Sequence, residues 1–390
     1  MTFMEGKKVQ HFDIVIAGSG ISGYSLLYEA MQQGAWRDKN ILVIDSSFTE
    51  KPNKMISFWD HKTSRFQQYA AANWKKLSFY SHAGKKTALV LGDYEYFTID
   101  SRQLLGSYYQ FLVQCPNIVF LEAKVIKCTS NDGACNVYTD QGDFTSTYVF
   151  SSIFTPPQVP EKYQYFPQHF KGVLIKPEKP YKDYQEATIM DYRTDQKQGT
   201  TFFYCLPMAA DSIFVEYTLF SKALLADGAY MEAIRKYLSE VLHIDKYQII
   251  FEEQGVIPMT DYPFRRHKDN IIYLGTAGGD TRGSTGYTFY NVQQTVQAIV
   301  KAFLETGTPF FKKEHIGLKD KLYDATLLSV LNEGLYEGHE IFTDLFEGTA
   351  AKHVFKFLDA NSPLLNDLKI MTSLRPLPFA KHFLKTLFRF

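Results

Sequence analysis

Gly18, Gly20 and Gly23, in the run Gly18-Ser19-Gly20-Ile21-Ser22-Gly23, and Asp45, 22 residues beyond them, have the types and spacing to hold a dinucleotide. Glycines so placed allow a tight turn and let a pyrophosphate approach the backbone. There the unsatisfied N–H groups and the dipole of a following helix favour negative charge. Asp45 is placed to accept hydrogen bonds from a ribose hydroxyl. Far downstream a second run, Gly275-Thr276-Ala277-Gly278-Gly279-Asp280-Thr281-Arg282-Gly283-Ser284-Thr285-Gly286, is either another close backbone approach or an ordinary glycine-rich connection.

Elements must carry these loops to one place. His11 to Ala17, with Phe12, Ile14, Val15 and Ile16, reads as a strand of the apolar kind buried in a parallel sheet. It feeds the first loop, a helical pattern through Leu26, Leu27 and Ala30 to Gly34, and a second strand, Ile41 to Ile44, ending at Asp45. Strand, helix, strand and acid fall within about 35 residues, a complete βαβ unit. The second mononucleotide half of a dehydrogenase does not follow; the chain turns instead into Phe58-Trp59-Asp60. A strand end at Phe97–Asp100 then precedes a helix through Leu112, which Asp100 or Ser101 can cap. Arg102, in its first turn, either reaches a phosphate or is a solvent-facing arginine. Further strands are expected at Val119–Val125, Cys135–Thr139, Tyr148–Phe154 and Ile271–Leu274, the last ahead of a helix over Tyr287–Leu304. A GxGxxG answered some 250 residues later by a glycine-rich strand-to-helix turn is a flavoprotein layout, with FAD extended between the loops.

The expected fold is α/β, with an FAD-binding domain in two parts, residues 1–158 and 269–310, and a helical region at 311–390. Residues 159–268 form an inserted substrate domain. Its strands are expected at Thr188–Tyr192, Thr201–Leu206, Ile213–Leu219, Tyr247–Glu252 and Gly255–Pro258, with a helix at Tyr230–Leu242.

Composition narrows the class. With 42 basic and 42 acidic residues there is no charge argument for nucleic acid. Apolar residues at 45% and charged residues at 22% exclude a disordered chain. Aromatic residues reach 16%, which suits either an aromatic core or a π-rich cavity. Cys115, Cys128, Cys135 and Cys205 lack CxxC spacing, so reduced thiols are expected and a metal site is not. Met1 to Asp13 lacks the apolar stretch of a secretory signal, and no run of 18 apolar residues can span a membrane. The final dozen residues, Phe379 to Phe390, alternate Phe and Leu with Lys, Arg and His; they either lie on a membrane surface or pack back onto the protein.

Several phrases occur in one order: Gly18-x-Gly20-x-x-Gly23, Ser57-Phe58-Trp59, Met190-Asp191-Tyr192-Arg193, Phe214-Val215-Glu216-Tyr217-Thr218, Ile257-Pro258-Met259, and the second glycine run through Tyr287. In these the chain resembles the flavin-dependent lycopene cyclases of carotenoid synthesis. The resemblance implies a Rossmann-like FAD-binding fold of the glutathione-reductase/hydroxylase type. It implies a redox-neutral reaction in which the ends of a linear polyene, lycopene, close into β-ionone rings, with FAD in its reduced form and NAD(P)H as electron source. Glu216 is then the proton donor, with Asp191 and Arg193 either joining the site or forming an ion pair. Cofactor contacts are implied at Gly18, Gly20, Gly23, Asp45, Arg102, Gly275, Gly278, Gly279, Ser284, Thr285 and Gly286. Tyr192, Phe214 and Tyr217, with Phe202 and Phe203, face a cation or pack the core. An insoluble substrate implies an apolar tunnel and a peripheral position on the cytoplasmic face of the cell membrane. Two positions depart from the family. Gly283 replaces a proline, which implies a looser loop, and Tyr217 stands where several members carry a second carboxylate, which implies no acid pair at that spot. The competing readings are a flavin monooxygenase, a polyene or isoprenoid reductase, and a carotenoid-binding protein with a vestigial flavin site.

Overall fold

The computed structural model describes residues 9–131 and 133–387. Among them the strands form sheets of eight, seven and three. The first sheet is built on parallel strands Gln10–Ala17, Ile41–Asp45, Ile118–Glu122, Gly142–Ser151 and Ile271–Tyr273. Both of its faces are covered, which explains the unbroken apolar run of the first strand. Ile14 and Ile16 face the helices Ile21–Gln32, Ser101–Leu112 and Phe289–Thr306, while Val15 and Ala17 pack against Cys135, Val137 and Val149. Strand Ile271–Tyr273 pairs with Gly142–Ser151, so the chain returns to this sheet after more than a hundred residues elsewhere.

The first loop is tight because its glycines leave no room for anything else. A Cβ on Gly23 would lie 2.0 Å from the Gly18 carbonyl oxygen, and Gly18, at φ +98, would meet Ser152 Oγ at 2.4 Å. Asp100 caps the helix Ser101–Leu112 by accepting from the N–H groups of Arg102 and Gln103.

The seven-stranded sheet runs, in order, Tyr247–Thr260, Tyr165–Pro177, Ser212–Phe220, Thr200–Ala209, Ala187–Asp191, Leu77–Tyr80 and Lys86–Leu89. Helix Asp227–Glu240 covers one face through Ile234, Tyr237 and Leu238. The other face meets the first domain and the helices that follow Gly317. The sheet therefore draws its last two strands from before the expected insertion.

Several expectations need correction. The 13-residue strand Tyr165–Pro177 was not anticipated; two prolines, a glycine and two lysines hide its alternation. Tyr247–Thr260 is one strand of 14 residues, where the sequence suggested two with a break before Gly255. Gly255 does not break it because the Phe170 ring lies over its backbone, 2.6 Å from where a Cβ would stand. The run expected at Val119–Val125 ends at Glu122, and an unforeseen strand Val125–Asn131 follows. The strand expected to reach Phe154 ends at Ser151, and the helix expected from Tyr287 begins at Phe289. The cysteines are unpaired, and no helix among the described residues is long and apolar enough to cross a membrane.

Because no neighbour of Gly23 can yield without moving the strand end, Gly23→Ala is expected to cost about 1–3 kcal/mol. Thermal unfolding measures this as a lower Tm, and an unchanged Tm would mean that the turn relaxes freely.

Candidate active site

A cavity of about 390 Å³ lies where the two glycine loops, the Ser57–Trp59 strand and the large sheet converge. Ile21 and Ser22 reach it from the first loop, Gly286 and Tyr287 from the second, and Glu216 and Glu253 from the sheet. The loops touch one another: a Cβ on Gly275 would fall 2.5 Å from Ser22 Oγ.

Strand alternation decides which side chains enter. Phe214 and Glu216 line the cavity, and Thr218 lies on the same side and donates its hydroxyl to Glu216 Oε1 at 2.8 Å. Val215, Tyr217 and Leu219 point the other way, under helix Asp227–Glu240. Glu216 is half-buried, its carboxyl opening only to the cavity. Burial, and then the charge of Glu253, push its pKa up to about 8.

Glu253 was not singled out from the sequence. Glu216 pairs across the sheet with Gly172, and Gly172 pairs on its other side with Glu253. Directly opposed residues project to one face, so the two carboxyl groups share a row with an empty position between them. Gly172 must be empty: a Cβ there would meet Phe214 Cζ at 2.4 Å and Glu253 Cγ at 3.2 Å. Glu253 is 6% exposed, accepts the Met55 N–H at 3.1 Å, and is pushed up to about 7, mainly by burial. The missing acid pair is thus built across three strands rather than along one. The available signal was Glu253 two residues before Gly255 and four before Ile257, on one strand face.

A third carboxyl, Asp359, comes from the C-terminal helical region. Trp59 Nε1 donates to its Oδ2 at 2.8 Å, and burial raises its pKa to about 7. Trp59 stacks on Phe355 at 4.5 Å and meets Tyr287 edge-on at 4.7 Å. The Tyr204 and Tyr287 hydroxyls interact, burial raises the pKa of Tyr287 to about 12, and Tyr96 stands close enough to feel the Glu216 charge. Gln168 Oε1 is buried with no hydrogen-bond partner among the described residues. It faces Gly286, where a Cβ would be 1.9 Å away.

Other expected site residues lie elsewhere. Asp191 and Arg193 form a two-pronged ion pair (3.0 and 2.6 Å) that Tyr237 also joins, through its hydroxyl, at 2.8 Å. Tyr237 belongs to the helix on the far face of the sheet, so the pair is a structural lock outside the cavity. Tyr217 stacks on Phe203 at 4.8 Å, and Phe203 on Tyr237 at 3.9 Å. Of its two expected roles, facing a cation or packing the core, Tyr217 takes the second, because consecutive strand residues do not share a face. Tyr192 and Phe202 pack in the core with Phe342 and do not line the cavity. Of the five aromatic candidates only Phe214 does.

The dinucleotide contacts divide similarly. Asp45 Oδ2 accepts from Ser19 N–H at 2.6 Å and pairs with Lys51 at 3.0 Å. Burial alone would raise this carboxyl, but the Ser19 and Lys51 partners hold it below its ordinary value. Arg102 is exposed at the first turn of its helix. Gly278 and Gly279 border a smaller polar pocket with Arg266 and Asp280, and Ser284 and Thr285 an apolar one among the C-terminal helices; Gly286 alone of these reaches the main cavity. Gly283 does not loosen the loop: a Cβ would fall 2.7 Å from the Thr260 carbonyl oxygen, and neighbouring Arg282 is buried against Asp324 and the Phe357 and Leu358 carbonyls.

These residues fit an extended dinucleotide. Gly20 has open space where its Cβ would stand, at the start of helix Ile21–Gln32, while Gly18 and Gly23 on either side are packed solid. Gly20→Val is therefore expected to leave the Tm of the apo chain unchanged and to abolish FAD binding. Flavin fluorescence titration measures the second effect, and undiminished affinity would place the pyrophosphate elsewhere.

A family model described as lycopene cyclase protein matches residues 13–383. No curated protein matches the sequence. Among solved structures, a geranylgeranyl bacteriochlorophyll reductase-like protein from Thermoplasma acidophilum superposes with a TM-score of 0.69 at 10% identity, over 96% of this chain and 99% of that one. A flavoprotein/dehydrogenase from Cytophaga hutchinsonii gives 0.62 at 9%, over 94% and 100%. The p-nitrophenol 4-monooxygenase PnpA from Pseudomonas putida gives 0.59 at 10%, over 97% and 98%. Likeness at such identities establishes the fold, a Rossmann-like FAD-binding domain joined to a β-sheet domain. With the match to the family model running almost from end to end, the chain belongs to the lycopene cyclase family.

Proposed function

We propose that this chain is a lycopene beta-cyclase, closing the linear ends of lycopene into β-ionone rings, to gamma-carotene and then beta-carotene, without net oxidation or reduction. The observation that carries the reading is Glu216, a carboxyl whose pKa burial pushes up to about 8, at the wall of an aromatic cavity beside both glycine loops. FAD would be held by the Gly20 loop and Gly286, with NAD(P)H reducing it. Reduced, it would supply negative charge that favours a developing carbocation.

Glu216 donates its proton to the terminal alkene of the polyene, leaving a tertiary cation that the neighbouring double bond attacks. Thr218 orients the carboxyl by donating to Oε1. Each unit by which the pKa rises weakens the acid by about 1.4 kcal/mol. Acid strength is therefore not the main source of rate. Stabilisation of the cation is, and the faces of Trp59, Tyr96, Tyr204, Phe214 and Tyr287 supply ~0.5–2 kcal/mol each where they are desolvated. The same lining excludes water, which would capture the cation as an alcohol.

A redox reading has support in the fold, which is shared with reductase-like and monooxygenase structures. Anaerobic incubation with lycopene, FAD and NADPH separates the two. The product is expected to have the mass of lycopene, without stoichiometric consumption of NADPH; one equivalent of NADPH per product, or product that forms only when O2 is admitted, would sink the cyclase reading. A raised carboxyl is protonated below its pKa, so turnover is expected to fall as pH rises through about 8. Glu216→Gln should lose at least about a hundredfold in kcat while keeping flavin, whereas a carotenoid-binding protein would turn over in neither form.

Membrane attachment belongs to the same proposal. Helix Pro376–Leu387 packs inward through His382, bonded to Ser329 at 2.8 Å, while Lys381 and Lys385 reach Glu333. Outward it leaves Leu377 82% exposed, and the preceding helix leaves Leu365 77% exposed. Phe388 to Phe390, part of the expected amphipathic tail, lie outside the described residues. The leucines would enter the interface on the cytoplasmic side, with lysines near the headgroups. Leu365→Asp combined with Leu377→Asp is expected to cut sedimentation with anionic vesicles about tenfold, and equal sedimentation would remove this role.

A further inference from the structure

We propose that Glu253 is the base that finishes the ring closure Glu216 begins, the two carboxyl groups acting as one proton-relay pair across Gly172. The inference rests on the cyclisation reading and assigns a step that reading leaves open, the loss of the ring proton.

The geometry is specific. Glu216, Gly172 and Glu253 occupy one cross-strand row, with Tyr204 next to Glu216 in the same row. Tyr204, Glu216 and Glu253 line the cavity, and the middle position carries no side chain. Glu253 Oε2 is held by the Met55 N–H, which fixes the carboxyl without neutralising it. The charged groups facing Glu253 are Glu216, Lys54 and Asp100, and Lys54 spends a hydrogen bond on the Gln254 carbonyl. No salt bridge among the described residues ties either glutamate to a cation. Two carboxyl groups in one row whose charges act on one another favour holding a single proton between them. Asp359 lines the same cavity, but it shares no strand row with Glu216 and its Oδ2 accepts from Trp59. The buried, unpartnered Gln168 Oε1 marks this cavity, independently, as one shaped for a ligand.

The step balances. The Glu216 O–H bond breaks as a C–H bond forms at the terminal alkene carbon. The π pair of the neighbouring alkene forms the ring C–C bond and passes the positive charge into the ring. An adjacent ring C–H then breaks, its electron pair becoming the new ring double bond and its proton passing to the Glu253 carboxylate. Return of that proton to Glu216 restores the acid. No electron is gained or lost, and no co-reactant is needed.

The choice of base determines where the ring double bond forms, so the product reports the base directly. Holoenzyme with reduced flavin is incubated anaerobically with detergent-solubilised lycopene in D2O, and products are analysed by mass and NMR. Wild type is expected to give one ring isomer, with at most one deuterium per ring, because the proton that Glu253 returns to Glu216 comes from the substrate until it exchanges with solvent. Glu253→Gln, which preserves the bond to Met55, is expected to slow turnover at least about a hundredfold and to give mixed double-bond isomers or a ring alcohol. Glu253→Asp should recover the single isomer with part of the rate. Glu253→Gln that gives one isomer within threefold of the wild-type rate overturns the inference, leaving Glu216 as acid untouched. Loss of the flavin absorbance from both variants also overturns it, making Glu253 a scaffold residue that holds Met55. Wild-type protein that binds flavin and forms no ring would instead defeat the cyclisation reading.

Discussion

On the proposed cyclisation, a carboxyl group that gives a proton to a hydrocarbon has to keep that proton in neutral water, and Glu216 sits where burial favours this. Burial does most of it, because an apolar wall disfavours the charged form. The remainder comes from a second carboxylate in the same row, and that neighbour is close only because Gly172 has no side chain. An alanine at 172 would collide with the Phe214 ring that walls the cavity beside Glu216. One missing methyl group thus leaves room for the ring that shapes the wall and for the Glu253 side chain beside it.

The rest of the architecture brings that wall to the nucleotide loops. The first loop can meet the second because Gly275 lies against Ser22, and the second is anchored from behind by Arg282. Arg282 ties it to Asp324 and to the carbonyls of Phe357 and Leu358, immediately before Asp359. The C-terminal helices are therefore part of the site: they fix the glycine loop and deliver Asp359 to Trp59. The Asp191–Arg193 pair serves the same end at a distance. It bonds Tyr237 and so locks helix Asp227–Glu240 to the back of the sheet whose front carries Glu216.

Aromatic residues do two jobs that composition cannot separate. Phe203, Tyr217 and Tyr237 form a stacked column behind the sheet, and Tyr192 and Phe202 pack with Phe342 beyond the cavity. Tyr96, Tyr204, Phe214, Tyr287 and Trp59 face inward around the acids. The first group gives the sheet stiffness, and the second offers π-faces and excludes water. Both follow from the same 16% aromatic content.

The sequence alone determined the elements whose signals are local. Glycine spacing, the apolar first strand and Asp45 made the βαβ unit legible, and the phrase Phe214-Val215-Glu216-Tyr217-Thr218 made Glu216 legible through the resemblance. Tertiary structure alone decided which residues share a wall. Glu253, Gln168 and Asp359 stand far from Glu216 in the chain, and only the alternation of Glu253 with Gly255 and Ile257 marks any of them locally. The strand carrying Gly172 was itself obscured by its prolines and lysines. Pairing register is the physical reason: it is set by hydrogen bonds between strands far apart in sequence, and a shift of one residue would turn each side chain to the opposite face.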